Sequence, residues 1–534
     1  MATKRDKNIR WRDNRRLKHL RDMEGRVESS SSGFKRALVV ASLVILQFAI
    51  IIAIPFFLRQ FSSAFYLITE GCGILAILLL TNDNRSMSYK FGWLSIVVVL
   101  PIAGIVMFFM FGRVGKKNAL NRQIEKRFNW IDKQLIRYPE VSDVFRRQHP
   151  VSSRLSSYMD AEGSPLCKNN DVVYYEMGEL VLDDIFEKLE NARRFIFLEF
   201  FIVAEGALWD KLHELLVKKR KEGVEVKFMF DDFGALMRTP TTFASTLREE
   251  GIEVVVFNPI GRYVNKLYMN FRTHQKIVVI DGEYAYTGGF NIADEYANLV
   301  ERFGVWKDAG IRVSGDAVWG MTIAFLEMWH ACAPEEKINF NRYRTMKPSP
   351  VNDVYCHVLR DGPALGPRSF FANAYKQMIQ YAERKLFVTT PYLILEDLMI
   401  DTLIEARLRG VDVRIITPNI PDKKRIKMMT EYNYGVLLKN GIRIYEYTPG
   451  FIHTKVIMNE HCAIVGTVNM DYRSFYLHYE NGIWVYDRQF VGSVESDIAE
   501  TIRVSREITY DEWKKRPRLR KLGQFVLKVF DSLV

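Results

Sequence analysis

The sequence predicts an α/β protein in which one domain occurs twice, carried behind a set of apolar helices. Three observations predict this. Strand-like and helix-like segments alternate from about Ser153 onward, the pattern of a sheet with crossover helices. That alternation then repeats with the same polar residues at the same spacing. Ahead of it lie long runs without charge, too long for the core of a globule. At 534 residues the chain exceeds one ordinary domain, and 48% hydrophobic with 26% charged residues excludes a disordered chain.

The N-terminal end is read first. Residues 1–36 hold twelve Lys/Arg against five Asp/Glu, a large share of the net charge of +12. This basic arm is expected to stay in the cytoplasm. Three apolar segments follow, at 37–58, 60–82 and 91–112, the second interrupted only by Glu70. A helix rises about 1.5 Å per residue, so ~20 apolar residues cross the ~30 Å hydrocarbon layer. The region 37–113 is therefore expected to make three passes of a cell membrane, with Glu70 facing neighbouring helices. Three passes put the rest of the chain on the outer face. A second basic cluster, Arg113 together with Lys116, Lys117, Arg122, Lys126 and Arg127 of a basic linker over 114–152, pulls the other way. An even number of passes, with the segment around Glu70 re-entrant, satisfies that cluster.

The repeat sets the domain plan. Arg194–Phe201, a helix-like Leu208–Lys221 and Gly223–Phe230 correspond to Lys385–Tyr392, Leu395–Leu408 and Gly410–Ile416. Gly251-Ile-Glu-Val and Gly441-Ile-Arg-Ile follow, each glycine placed to end a helix and start a strand. The first copy is expected over 153–345 and the second over 346–515. A basic amphipathic helix over 516–534 closes the chain, with Leu522, Phe525, Val526, Val529, Phe530 and Leu533 at helical spacing. Such a helix suits a membrane interface or a seat on the catalytic domain.

Each copy ends in one constellation. His274-Gln-Lys276 leads through Asp281 to Gly288-Gly-Phe-Asn291; His453-Thr-Lys455 leads through Glu460 to Gly466-Thr-Val-Asn469. On a strand, residues i and i+2 share a face, so each His and Lys should point into one site. One imidazole can attack phosphorus while a second protonates the leaving oxygen. Lys276 and Lys455 would neutralise the non-bridging oxygens, with Asn291 and Asn469 as uncharged donors. The reading is phosphoryl transfer through a phosphohistidine, with no metal and no cofactor. The five cysteines show no C-x-x-C spacing, which argues against a zinc site or a disulfide framework.

These residues resemble the phospholipase D superfamily, whose signature H-x-K-x(4)-D occurs twice. The chain is more closely similar to the bacterial cardiolipin synthases through Ser88-Tyr89-Lys90, Leu198-Glu199-Phe200-Phe201, Asp231-Asp232-Phe233-Gly234, Asn270-Phe-Arg272-Thr-His274, Trp306-Lys-Asp308 and Asn469-Met-Asp-Tyr-Arg473-Ser474 with Glu480. The resemblance implies two phospholipase D-like domains meeting at a pseudo-twofold axis to form one active site. It implies His274 as nucleophile and His453 as general acid, oriented across the interface by Glu480 and Asp308. Arg272, Arg473 and Ser474 are the implied substrate contacts, and Asp281 and Glu460 complete the two motifs. Glu460 departs from the family's aspartate and Gln275 stands where arginine is common.

The implied reaction moves a phosphatidyl group between two molecules of phosphatidylglycerol. Hydrolysis by a membrane phospholipase D, or a lipid-binding scaffold with a vestigial site, are the alternatives. The expected partners are a membrane and an anionic phospholipid, not nucleic acid. The first copy also has 23 residues from Gly251 to His274 where the second has 12 from Gly441 to His453. The extra stretch, Gly261–Arg272, mixes aromatics with Arg262, Lys266 and Arg272, suited to lipid headgroups or to a solvated loop.

Overall fold

Alternation along the strands sets the layers. In Phe195–Phe200, Phe195 and Phe197 join a central core while Ile196, Leu198 and Phe200 join an outer one. In Lys385–Thr389, Phe387 faces the same central core while Leu386 and Val388 face a third. Strands covered on both sides read as unbroken apolar runs, as these do. The computed structural model describes residues 63–82, 87–99 and 130–534, apart from 260–270, 348, 366–367, 529–530 and 532–534, with scattered residues between 42 and 128.

The first half runs β1 (Leu166–Cys167), β2 (Asn170–Tyr175), β3 (Phe195–Phe200), β4 (Glu225–Asp231), β5 (Glu253–Phe257), β6 (Arg272–Thr273), β7 (Ile277–Ile280), β8 (Tyr284–Gly288), β9 (Val305–Lys307) and β10 (Gly310–Gly315). The second runs β11 (Tyr355–Asp361), β12 (Lys385–Thr389), β13 (Leu393–Ile394), β14 (Asp412–Pro418), β15 (Arg443–Tyr447), β16 (Gly450–Ile452), β17 (Val456–Asn459), β18 (Ala463–Gly466), β19 (Met470–Asp471), β20 (His478–Tyr486) and β21 (Ser505–Ile508). One sheet has the order β2-β10-β8-β7-β3-β4-β5. The other repeats it as β11-β20-β18-β17-β12-β14-β15, extended by β1 and β21 at its edges. Gly251 and Gly441 adopt φ of 84° and 78°, the left-handed conformation that ends a helix without a Cβ clash.

Two helices fill the space between the sheets. Ala317–Cys332 is buried almost all round, and Arg488–Arg503 contributes Phe490, Val491, Val494 and Ile498 to the same core. Each large side chain wholly buried there contributes about 1.5–3 kcal/mol. Outer helices such as Gly178–Glu190 and Ala207–Lys221 cover the first sheet, and Phe370–Gln380 and Asp397–Leu408 the second.

The expected boundary at 153 is corrected. Helices Pro139–Gln148 and Ser152–Ala161 place Val141, Phe145, Leu155 and Met159 in the outer core of the second half. β1 pairs with β11, Leu166 opposite His357. His357 fixes the seam, with Nε2 2.7 Å from the Ser156 hydroxyl and Nδ1 2.6 Å from the Ser164 carbonyl. Without β1 the edge of β11 would expose its backbone groups, so the chain covers it before starting its own sheet at Asn170.

At the N-terminal end, the expected first span lies outside the described residues but for a few helical positions. Helices Ser63–Thr81 and Met87–Val99 occupy the second expected span and part of the third, and Glu70 is exposed. Among the described residues no helix is long and apolar enough to cross a membrane. Residues 261–270 of the extra stretch in the first copy also lie outside the described residues. At the C-terminal end the helix is Arg518–Lys528.

Candidate active site

Two short strands exchanged between the halves build the site. β6 leaves the first half and pairs in parallel with β20 of the second, Arg272 opposite His478 and Thr273 opposite Tyr479. β16 makes the reciprocal move onto β9, Phe451 opposite Trp306 and Ile452 opposite Lys307. The chain after each exchanged strand is held by one further bond, His274 N–H to the Tyr479 carbonyl at 2.8 Å and His453 N–H to the Lys307 carbonyl at 2.7 Å. The motif residues were expected on strands. They lie instead in the unpaired steps between β6 and β7 and between β16 and β17. The i, i+2 relation survives: Lys276 Nζ donates to the His274 carbonyl at 2.7 Å, and Lys455 Nζ to that of His453.

Each exchange delivers an imidazole to a carboxylate of the opposite half. His274 Nδ1 lies 2.9 Å from both Glu480 oxygens, and His453 Nδ1 lies 2.7 Å from Asp308 Oδ2. Both histidines are 6% exposed and both carboxylates fully buried, so neither pair is screened by water. A carboxylate on Nδ1 holds the proton there and leaves Nε2 free for chemistry. The Thr467 hydroxyl donates to Glu480 at 2.5 Å. Asp308 is held by the Ala309 amide at 2.9 Å, and a Cβ on Gly289 would run into its carboxylate.

Burial governs the charges. It pushes His274 well down, and Lys276, His478 and Lys455 push further. His453 is held down to about 4, by burial and then Lys455, against the pull of Asp308. Lys276 falls to about 7 and Lys455 to about 8, mainly through burial, with Glu480 and Asp308 opposing. Glu480 is pushed well up by burial and restrained by Lys276 and Thr467. The resting site therefore holds neutral imidazoles beside two lysines, and an arriving phosphate anion favours protonation of one imidazole.

A stability effect follows for His453. The unfolded chain takes up this proton near 6.5 and the folded chain near 4, so unfolding binds the extra proton in that interval. His453 thus costs stability progressively as pH falls from 6.5 to 4. His453→Ala should flatten this stretch of a urea-midpoint-against-pH curve. An unchanged slope there would contradict a neutral buried His453.

The remaining sequence-predicted residues divide into two groups. Asn291 and Asn469 are buried after the motifs; Asn291 Oδ1 accepts from Ile202 N–H at 3.0 Å, and Asn469 N–H donates to the Ser474 hydroxyl at 3.2 Å. Arg473 is half-buried, its Nε 3.5 Å from His478 Nε2. Arg272, expected on substrate, is 2% exposed and donates to the Asn258 carbonyl at 2.8 Å and Asp231 at 3.4 Å, a structural anchor for β6. Asp281 and Glu460, grouped with the catalytic set by the motif, turn to backbone amides at the starts of β3 and β12. Asp281 accepts from residues 193, 194 and 195 at 2.8–2.9 Å, and Glu460 from 383, 384 and 385 at 2.8–3.3 Å. The extra methylene of Glu460 is taken up without loss of the bracket. Glu460→Asp should keep turnover, and Glu460→Ala should lower stability by about 1–3 kcal/mol with the chemistry intact, read by denaturant melts and initial rates. A fully stable but inactive Glu460→Ala protein would refute the bracing role.

His478 was missed. Its ring centroid is 5.4 Å from that of His274, and Phe201 packs against both. The available signal was its position two residues before Glu480, on the same face of β20. His274, His478 and Glu480 carry donor atoms within 4.8 Å of one another, a set able to grip a metal ion. The surrounding positive charge of Lys276 and Arg473 on His478 opposes a cation there. Tyr472, next to Arg473, stacks on Tyr89 of helix Met87–Val99 with centroids 6.1 Å apart.

Known proteins resemble this chain in both halves. The family described as cardiolipin synthase, PLD-like domain, matches residues 185–307 and 375–502, one match in each half. The family described as phospholipase D-nuclease N-terminal matches residues 73–113. An uncharacterised protein of Streptococcus mutans is 35% identical over 86% of this chain and 99% of its own. The major cardiolipin synthase ClsA of Bacillus subtilis is 31% identical over 86% of this chain and 97% of its own. Phosphatidylserine synthase from Haemophilus influenzae shares the fold, with a TM-score of 0.52 at 14% identity over 68% of this chain and 93% of that one.

Proposed function

We propose, from the premise that this chain belongs to the cardiolipin synthase family of phospholipase D-like proteins, that it joins two molecules of phosphatidylglycerol into cardiolipin with release of glycerol. One observation carries the reading: two imidazoles, each held through Nδ1 by a carboxylate of the opposite half, share a buried site with two lysines. His274 Nε2 attacks phosphorus, and the bond from phosphorus to the glycerol oxygen breaks. His453, protonated once the phosphate has entered, gives that oxygen its proton. Neutral His453 then takes the proton from the terminal hydroxyl of a second phosphatidylglycerol, whose oxygen displaces His274 from phosphorus. Lys276 and Lys455 stabilise the charge on the non-bridging oxygens throughout. Arg473 and Ser474 stand beside this set as the substrate contacts.

The placement of the chain is part of the proposal. The apolar segments 37–58, 60–82 and 91–112 anchor it in a cell membrane, behind the cytoplasmic arm 1–36 and on the side from which an anionic phospholipid reaches the site. Residues 170–332 and 355–508, with 139–167 attached to the latter, form the two phospholipase D-like units.

Incubating purified protein with phosphatidylglycerol should yield cardiolipin and free glycerol in equal amounts. Phosphatidic acid in place of cardiolipin would identify a hydrolase instead. Turnover should persist in excess chelator, since the lysines already neutralise the phosphoryl oxygens. Complete loss that one divalent ion alone restores would count against this.

A further inference from the structure

The C-terminal helix Arg518–Lys528 is seated the opposite way from a core helix. Its polar side grips the protein: Arg520 makes two bonds to Glu431, at 2.8 and 2.6 Å, and Gln524 is fully buried beside them. Its apolar side faces outward, with Leu519 83%, Leu522 61%, Phe525 67% and Val526 50% exposed. These four positions fall on one arc of the helix. From Lys514 to Lys528 the chain carries seven Lys/Arg and no Asp/Glu.

Its position relates it to both the site and the N-terminal helices. The helix beneath it, Lys424–Lys439, begins beside exposed Lys423, whose charge reaches His478. Just beyond the C-terminal helix, Asp531 feels the charge of Asp397. Next to Asp397, Glu396 accepts from the Tyr476 hydroxyl at 2.8 Å, and Tyr476 packs on Tyr472 at 4.7 Å. Tyr472 in turn stacks on Tyr89. A relay of neighbouring side chains thus connects the C-terminal helix to helix Met87–Val99.

We infer that this helix docks in the surface of an anionic bilayer, its apolar arc among the acyl chains and its lysines and arginines on the headgroups. The docking holds the opening of the site at the lipid surface. It deepens the proposed function by naming how the protein meets its substrate, though the helix itself carries the docking whatever the reaction.

The test uses the full chain and a double variant, Leu522→Asp with Phe525→Asp, both sites being exposed enough to leave folding untouched. Amide exchange over 518–528 should slow about tenfold or more on vesicles containing phosphatidylglycerol and stay fast on pure phosphatidylcholine. The variant should lose that slowing, keep its rate on soluble dihexanoyl phosphatidylglycerol, and fall about tenfold on long-chain vesicles. Exchange unaffected by lipid, or equally slowed by phosphatidylcholine, overturns the inference. So does slowing that follows protein concentration, which would mean a second copy covers the face. Equal loss on soluble and vesicular lipid would make the helix part of the site, and overturns it too. A protein without transfer activity still reports docking through the exchange arm, so the two readings fail separately.

Discussion

Alanine at His274 or at His453 is expected to lower transfer by about 10³-fold or more while thermal melts stay close to those of the unsubstituted protein. Positioned acid–base groups contribute about 10²–10⁴-fold, and a nucleophile lost outright leaves no alternative path. The double variant should be no slower than the worse single one, because groups that act as one unit do not add. The geometry requires this, since the two imidazoles serve successive ends of the same displacement. The measurement is initial rates with circular dichroism on each protein. Near-normal synthesis by either single variant would break the composite site into two independent halves and overturn the assignment.

Glu480→Gln and Asp308→Asn are expected to cost nearly as much, about 10²–10⁴-fold each, though neither side chain meets the phosphate. An amide can present its N–H₂ to Nδ1, which moves the imidazole proton to Nε2. For His274 this removes the attacking lone pair. For His453 it removes the charge that supports the protonated form. Glu480→Gln should therefore suppress formation of the phosphohistidine, read by trapping labelled protein in acid quench. Asp308→Asn should still form some when the leaving group is a good one, such as p-nitrophenol, which needs no proton. If both variants respond identically to the leaving group, the roles of the two histidines are not divided in this way.

The sequence made the duplication legible because buried strands leave continuous apolar runs that repeat with their glycines. Gly251 and Gly441 could be placed since a positive φ excludes nearly every other residue. His274, Lys276, His453 and Lys455 were legible through their spacing, and the resemblance supplied Glu480 and Asp308. What was hidden depended on pairing at long range. No local pattern says that β1 leaves its neighbours to cover β11, or that Arg272 spends its charge on Asp231 and a carbonyl. His478 was concealed by the same cause: its meaning comes from His274, 204 residues earlier in the chain and brought close through the Glu480 contact. The seating of the last helix was hidden too, since amphipathic spacing reports two faces without saying which one the protein takes.

The exchange of β6 and β16 has an evolutionary edge. Residues 170–332 as a free-standing fragment would keep His274 but lose Glu480, and the other half would keep His453 without Asp308. Neither repeat can be discarded, reordered or replaced by a foreign copy unless its counterpart's backbone accepts the incoming strand in parallel register. Divergence between the repeats is then channelled to places the crossing does not touch. The longer stretch between Gly251 and β6, and glutamate at 460, are changes of that kind. A duplication that began as two equal copies is in this way bound into one heritable unit, free to vary in what surrounds the phosphate and held fast in how the two imidazoles reach it.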